Sequence, residues 1–235
     1  MHNNDKISII IPAYNERETI LPILKKIEEV NFGPIQKEII IVDDFSTDGT
    51  REILKKLTSI AYKIIYQEKN NGKGFAIRTA LKHVTGNWVI IQDADLEYDP
   101  KNYIDILSHA ISNKQQVVYG SRQLKRQENR YSCLSFYIGG IFLTKLTNIL
   151  YGQKLTDEAT CYKLFNAELL KNLPLTCTRF EFCPEVTALV AKQGIQIPEV
   201  AISYYPRTKE NGKKIKWRDG LYAIWILLKY RFKKI

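Results

Sequence analysis

Four short stretches carry side chains suited to chemistry: Pro12-Ala13-Tyr14-Asn15-Glu16, Val42-Asp43-Asp44, Gln92-Asp93-Ala94-Asp95-Leu96-Glu97 and Gly120-Ser121-Arg122. Each follows an apolar run that reads as a strand. Taken singly, an Asp or Asn after a strand is ordinarily a turn former or a helix cap. Four such stretches at one edge of one sheet point instead to a ligand site, because open α/β sheets bind ligands outside the carboxyl ends of their strands. Asp93 and Asp95 lie two apart, so an extended backbone turns both carboxylates to the same side. Two like charges held together are costly unless a cation sits between them. Mg²⁺ or Mn²⁺ suits the pair, since such ions take one or two carboxylates and fill their remaining positions with water and phosphate oxygens. Glu97 faces the same way in this reading and is a further ligand. Asn70-Asn71-Gly72-Lys73-Gly74 supplies a turn and a lysine ahead of a helix, with Arg78 one turn further on, a combination able to hold a phosphate at a helix N-terminus. It is neither a dinucleotide fingerprint, since Ile77 stands where the third glycine belongs, nor a Walker loop.

The elements that must position these residues alternate. Strands are expected over Lys6–Ile11, Glu38–Val42, Tyr62–Tyr66, Trp88–Gln92 and Val117–Tyr119. Helices are expected over Thr19–Val30, from Asp48-Gly49-Thr50 to about Leu57, over Phe75–His83 and over Tyr103–Ile111. Continuous β-branched strands alternating with helices predict an α/β fold of the doubly wound kind, a mostly parallel sheet with helices on both faces. After Arg122 the alternation stops. Ser132–Tyr151 and Pro184–Lys192 read as helices and Ile195–Tyr204 as a strand, with no Gly/Ser/Pro-rich linker and no internal repeat. One domain over residues 1–206 is expected, its second part building the other wall of a cleft, followed by a tail over 207–235.

The 235 residues are 45% hydrophobic and 26% charged, which excludes disorder and collagen-like repeats. No run reaches the ~18 apolar residues needed to span a bilayer, and the polar start from Met1 to Lys6 is unlike a signal peptide. Cys133, Cys161, Cys177 and Cys183 form no C-x-x-C pair and have no neighbouring histidines, so reduced thiols are expected rather than zinc. The net charge of +10 is concentrated: ten of the 35 basic residues lie between Arg207 and Ile235, against two acids there. In the same segment Trp217, Leu221, Ile224, Leu228, Phe232 and Ile235 recur at helical intervals, predicting a basic amphipathic C-terminal helix. Such a helix fits an anionic membrane surface, and its run from Leu221 to Leu228 is too short to span one. The competing expectation is that the stripe packs on the protein's own core. A nucleic-acid partner is disfavoured, because the tail's aromatics fall on its apolar face and no nucleic-acid motif is present.

The four motifs Ile9-Ile10-Ile11-Pro12-Ala13-Tyr14-Asn15-Glu16, residues 40–50 (IIVDDFSTDGT), residues 70–78 (NNGKGFAIR) and Asp93-Ala94-Asp95-Leu96-Glu97, in this order and spacing, resemble the nucleotide-sugar-binding part of glycosyltransferase family 2, whose fold is GT-A. Gly120-Ser121-Arg122, Asp157 with Thr160-Cys161-Tyr162-Lys163, Phe180-Glu181-Phe182, and Pro206-Arg207 through Gly212-Lys213-Lys214 extend the likeness over nearly the whole chain. They are most similar to polyprenyl-phosphate sugar synthases of the dolichol-phosphate mannose synthase type. Thr160-Cys161 stands where many relatives have Ser-Gly, and no transmembrane pair follows the tail. The resemblance implies that residues 1–125 bind the nucleotide sugar and 126–206 form the acceptor side. Pro12, Ala13, Tyr14 and Glu16 would line the base and ribose, with Asp44 beside them. Asp93 and Asp95 would face ribose, metal and diphosphate, with Glu97 completing the metal site. Arg122 and Arg130 would meet an acceptor phosphate, and Arg207 and Lys213 would close over the diphosphate.

The reaction so implied is a single displacement with inversion at the anomeric carbon, leaving a nucleoside diphosphate whose charge Mg²⁺ or Mn²⁺, Lys and Arg neutralise. Asp95, Arg122 and Glu185 are the catalytic candidates. A hydroxyl acceptor needs a general base, for which Glu181 and Glu185 are candidates. A lipid monophosphate needs none, because with a second pKa near ~6 it is already largely dianionic at pH 7; it needs cations such as Arg122 and Arg130. The expected function is transfer of a hexose, mannose or glucose, from a GDP- or UDP-sugar to polyprenyl phosphate, by a cytoplasmic enzyme peripheral on the inner face of the membrane. The alternative is a family 2 enzyme acting on a sugar hydroxyl. A catalytically silent nucleotide-sugar-binding protein is disfavoured by the intact Asp93, Asp95 and Glu97.

Overall fold

The computed structural model describes residues 5–57, 62–125, 134–207 and 217–233. Its first half is a run of strand–helix units: β1 (Lys6–Ala13), α1 (Ile20–Glu28), β2 (Gln36–Asp43), α2 (Thr50–Lys55), β3 (Tyr62–Tyr66), α3 (Lys73–Leu81), β4 (Trp88–Ile91), α4 (Asn102–Ser112) and β5 (Val117–Ser121). These strands rest on Ile, Val and aromatic runs whose branched side chains fit a pleated surface. Consecutive residues Ile7 through Ile11, Ile39 through Val42 and Val89 through Ile91 are all buried, as a sheet covered on both faces requires. In α1, Ile20, Ile23, Leu24 and Ile27 turn one face to the core at helical spacing.

The second half adds α5 (Leu134–Tyr151), β6 (Lys163–Asn166), α6 (Ala167–Asn172), α7 (Phe182–Lys192), β7 (Glu199–Ala201) and α8 (Trp217–Phe232). The seven strands lie in the order β3-β2-β1-β4-β6-β5-β7. β1 pairs in parallel with β2 and β4, and β2 with β3. β6 runs antiparallel to both β4 and β5, so β5 points the same way as β4 and its carboxyl end shares their edge. The mostly parallel α/β sheet is as expected, with β6 and α6 as elements that the alternation did not announce. The strand expected over Ile195–Tyr204 shrinks to Glu199–Ala201, followed by an isolated bridge between Tyr204 and Tyr98.

Helix α8 packs on α7 and α5. Its inward residues are Ala223, Ile226, Leu227 and Tyr230, and Tyr151 donates its hydroxyl to the Leu227 carbonyl at 2.6 Å. The stripe expected to be the apolar face therefore points elsewhere: Trp217, Leu221, Leu228 and Phe232 are exposed and Ile224 is partly so. Ile235 lies outside the described residues.

Candidate active site

The acidic turn after β4 is built on an aromatic floor. Tyr98, Tyr103 and Tyr162 are buried with ring centroids 4.7 to 5.3 Å apart in successive pairs. The hydroxyls of Tyr103 and Tyr162 both donate to Gln92 Oε1, and Gln92 Nε2 donates to the Asp93 carbonyl at 2.8 Å. Burial pushes the three phenols above their ordinary pKa, so they stay protonated, and the Tyr98 oxygen accepts the Cys161 N–H at 3.1 Å. Beyond Asp93 the chain is not extended. Residues 94–97 form a turn with Leu96 at φ +63°, and Asp95 Oδ1 accepts the Glu97 backbone N–H at 3.1 Å. The alternation of β4, which ends at Ile91, therefore does not run through the acidic turn, although the charges of Asp93 and Glu97 both act on Asp95.

Asp93 pairs with Lys73 at 2.5 Å, and Lys73 Nζ also lies 3.4 Å from Cys161 Sγ. Burial opposes the lysine's charge, but Asp93 and the nearby thiols outweigh it and hold the Lys73 pKa well above its ordinary value. Asp95 is pushed up, first by burial and then by the charges of Asp93 and Glu97. Both oxygens of Glu97 are engaged by the segment after β7: Oε2 accepts the Tyr204 hydroxyl at 2.8 Å and Oε1 the Arg207 backbone N–H at 2.7 Å. Among the described residues no three acidic, cysteine or histidine side chains converge as a metal-ligand group. Glu97 thus has partners within the chain, while its charge still acts on Asp95. Asp93 and Asp95 alone fit a divalent cation, which needs no more than two carboxylates beside a diphosphate, and the like-charge strain on Asp95 is what such an ion relieves.

The remaining donor-side residues converge on the same edge. Ala13 is buried, and its carbonyl accepts Asp44 N–H at 2.8 Å, joining the ends of β1 and β2. Pro12 and Tyr14, on either side of it, are half-buried. Asp44 accepts the N–H groups of Asn71 and Gly72 at 2.8 and 2.7 Å, so it fastens the 70–72 turn. Glu16 pairs with Arg207 Nη2 at 2.9 Å, and Arg207 Nε donates to the Asp95 carbonyl at 2.6 Å. Arg207 is therefore brought into the site as expected. Lys213 and Arg130 lie outside the described residues.

Three of the expected site features have partners within the chain. The N-terminus of α3 is not open to phosphate, because Gly74 and Phe75 donate their N–H groups to the Arg179 and Thr178 carbonyls, both at 2.9 Å. Gly72, at φ +93°, permits that approach; a Cβ there would lie 2.5 Å from the Thr178 carbonyl oxygen. Arg78 likewise faces the carbonyls of Thr176 and Cys177 at 3.4 and 3.3 Å rather than a phosphate. Glu185, expected as a base, is fully buried. It accepts from the N–H groups of Thr176 and Cys177 and from the hydroxyls of Thr176 and Tyr230. Burial raises its pKa, but those bonds outweigh it and leave the carboxyl below its ordinary value. A buried and fully hydrogen-bonded carboxylate holds structure together and does not reach a substrate.

Arg122 is likewise engaged within the chain. Asp157 takes its backbone N–H at 2.9 Å, its Nε at 2.6 Å and its Nη2 at 2.7 Å, and Tyr204 lies 5.0 Å beneath the guanidinium. It forms an ionic pin between the end of β5 and the 156–157 loop. Glu181 is similarly engaged, accepting the N–H groups of Thr178 and Arg179. Tyr98 and Tyr204 were missed in the sequence, and Tyr162 was noted only as part of the resemblance; their signal was no more than tyrosine near the polar strand ends.

Comparison with known proteins gives the family and the fold. Residues 8–173 match the family model described as "Glycosyl transferase family 2". An uncharacterized protein of Methanocaldococcus jannaschii is 30% identical over 205 residues, covering 85% of this chain and 82% of that one. The UDP-N-acetylglucosamine–dolichyl-phosphate N-acetylglucosaminyltransferase of Methanococcus voltae is 29% identical, covering 83% of this chain and 84% of its own length. The dolichol-phosphate mannosyltransferase of Pyrococcus furiosus is also 29% identical, but the chain spans only 59% of its length. Among solved structures, glucosyl-3-phosphoglycerate synthase of Mycobacterium tuberculosis, with Mn²⁺ and UDP bound, superposes with a TM-score of 0.70 at 19% identity, covering 98% of this chain and 80% of that one. At that identity the likeness is one of fold.

Proposed function

Since the chain belongs to glycosyltransferase family 2, we propose that it transfers a hexose, mannose or glucose, from a GDP- or UDP-sugar to polyprenyl phosphate at a membrane surface. The observation that carries the acceptor reading is the engagement of the acceptor-side carboxylates. Asp157 is bound by Arg122, Glu181 by backbone N–H groups, and Glu185 by four donors in the core. A nucleophile that arrives already ionised fits such a site better than a hydroxyl that must lose a proton.

On the donor side, Asp93 and Asp95 are the residues that would hold Mg²⁺ or Mn²⁺. Bound there, the cation would neutralise charge building on the leaving diphosphate. Lys73 and Arg207 supply fixed positive charge at the same edge, within a partly buried setting where it acts strongly on developing charge. Pro12, Ala13, Tyr14 and Glu16 flank the position of the base and ribose, and the aromatic floor keeps Asp93 in place. Displacement with inversion then requires the acceptor phosphate to approach from the face opposite the diphosphate.

The membrane reading draws on α8 and its neighbour. Outside its buried face, α8 exposes Trp217, Leu221, Trp225, Leu228 and Phe232, with Phe232 at 81% and Trp217 at 70%. Arg218, Lys229, Arg231 and Lys233 lie among them. Helix α5, which packs on α8, exposes Ile138, Phe142 and Ile149. Apolar side chains interspersed with Lys and Arg are the composition of an interfacial helix, and no helix among the described residues is long and apolar enough to cross a bilayer. On this reading the enzyme lies peripherally on the cytoplasmic face, where the donor and an anionic leaflet are both at hand. The test is release of nucleoside diphosphate from GDP-mannose and UDP-glucose with Mn²⁺. Vesicles carrying polyprenyl phosphate should stimulate release at least tenfold; stimulation by soluble sugars instead would favour a hydroxyl acceptor.

A further inference from the structure

Residues 176–179, the segment ahead of α7, have every backbone polar group committed. Glu185 takes the N–H groups of Thr176 and Cys177 at 2.9 and 2.8 Å, and Glu181 takes those of Thr178 and Arg179 at 2.7 and 3.0 Å. In the other direction the Thr176 and Cys177 carbonyls meet Arg78, and the Thr178 and Arg179 carbonyls accept Phe75 and Gly74 N–H from α3. Two carboxylates and a helix thus lock a segment that lies on the donor edge, since Gly74 follows Lys73, which pairs with Asp93. At Gly72 a Cβ would lie 2.9 Å from Arg179 Cγ and 3.2 Å from its Cα, so the stem of this arginine rests on the 70–72 turn that Asp44 fastens. The backbone of Arg179 is fixed, yet its side chain is exposed. Arg78, Arg122 and Arg207 give their guanidiniums to groups of the chain, whereas that of Arg179 has no partner among the described residues. We propose that Arg179 is a binding residue for the acceptor, its guanidinium taking the phosphate monoester of the lipid.

The chemistry of the acceptor asks for such a group. A dianionic phosphate that nears the anomeric carbon also nears the acidic turn, where the charges of Asp93 and Glu97 already push on Asp95, and like charges at close range need an offsetting cation. A guanidinium offers a phosphate two parallel N–H donors and stays charged at every working pH. Lys73 and Arg207, each fixed on a carboxylate, lie with the diphosphate in the reading above. Arg179 comes from the other half of the chain. The bonds that fix its position are all made by backbone groups, so the whole guanidinium stays available, as a binding group carried on a braced support should be. The assignment rests on the reading of the acceptor as a lipid phosphate and names a residue that recognises it.

The experiment uses the full chain and calorimetric titration of a short-chain prenyl monophosphate into protein saturated with Mn²⁺ and UDP or GDP. The matching prenyl alcohol and inorganic phosphate are titrated beside it. Arg179→Ala should bind prenyl phosphate at least about tenfold more weakly than the parent, and Arg179→Lys about threefold. Affinity for the alcohol and for the Mn²⁺–nucleotide should stay within about twofold in both variants, and Tm should not move, since the side chain is exposed. In turnover the acceptor KM should rise at least about tenfold in Arg179→Ala, with kcat within about threefold of the parent. Unchanged prenyl phosphate affinity in that variant would overturn the assignment. A parallel loss of nucleoside diphosphate affinity would also overturn it, moving Arg179 to the donor. Inorganic phosphate that displaces prenyl phosphate at equal concentration would do the same, by showing a site for free phosphate. A parent that binds prenyl alcohol and prenyl phosphate alike would count against the lipid-phosphate acceptor itself, and the assignment would fall with it.

Discussion

Replacing Glu185 separates structure from catalysis in one residue. Its carboxylate ties the loop at Thr176 and Cys177 to α7 and, through Tyr230, to α8, with the two backbone N–H groups at 2.9 and 2.8 Å. In Glu185→Ala the hydroxyls of Thr176 and Tyr230 can still bond each other, since they already lie 3.1 Å apart. The two backbone N–H groups cannot be rescued inside the core, and each costs about 1–3 kcal/mol, for a loss of roughly 4 kcal/mol. For a chain of this size that lowers Tm by roughly 8–16 °C. Glu185→Gln keeps one acceptor oxygen and should lose about half as much. Because its carboxyl lies below the ordinary value, Glu185 contributes stability above pH ~4.3, and this is lost as pH falls through the lower folded value. The assay is thermal unfolding by fluorescence, paired with turnover per folded molecule well below Tm. Turnover within about threefold of the parent is expected. A Glu185→Gln protein with the parent's Tm and turnover reduced a hundredfold or more, the range of a lost general base, would refute the structural role.

The other predictions are more local. Asp95→Asn should abolish the metal dependence of nucleoside diphosphate binding while leaving Tm unchanged or raised, because it removes a half-buried charge repelled by Asp93 and Glu97; titration calorimetry with and without Mn²⁺ checks it. Glu38 is pulled down to about 2: burial opposes this, but hydrogen bonds from Lys6, Ser8 and Thr85 prevail. The parent should therefore lose stability as pH falls from about 4.5 to about 2, and Glu38→Gln should be less stable at neutral pH with a flatter acid limb in urea unfolding. Gly72→Ala, placed at φ +93° and against the Thr178 carbonyl, should cost at least about 1–3 kcal/mol in thermal unfolding. Leu221→Glu with Leu228→Glu, both exposed, should change stability by no more than about 1 kcal/mol in total yet abolish co-sedimentation with anionic vesicles at low salt.

Much of this molecule is legible in its sequence where one physical signal dominates. β1, β2 and β4 are runs of buried Ile and Val, the first ended by Pro12-Ala13 and the others leading into acids, and α1 shows its core face at regular spacing. β6 was missed because four residues, Lys163–Asn166, begin with a lysine; only the fold reveals that Lys163 is fully buried, donating to the Glu158 carbonyl at 2.7 Å and lying 3.5 Å over the Tyr119 ring. The acidic cluster was found, but its geometry was misjudged, since the alternation of a strand does not survive Leu96 at positive φ. The partners of Glu185 and Arg122 were not legible for a shared reason. A charged residue written in sequence does not announce whether its partner is a substrate or the protein itself, and here Thr176, Tyr230 and Asp157 supply that partner. In α8 the spacing identified a helix and a stripe, but Ala223, Ile226, Leu227 and Tyr230 form an equally regular second face, and packing chose that one.

The central claim is that the sugar goes to a lipid phosphate, and the product tests it directly. The full chain, with Mn²⁺, radiolabelled GDP-mannose or UDP-glucose and vesicles containing polyprenyl phosphate, should yield label that partitions into organic solvent and returns to water after mild acid cleaves the glycosyl phosphate. Asp95→Asn should yield none. Label that stays in the aqueous phase, attached to a soluble acceptor through an acid-stable glycosidic bond, would contradict the account.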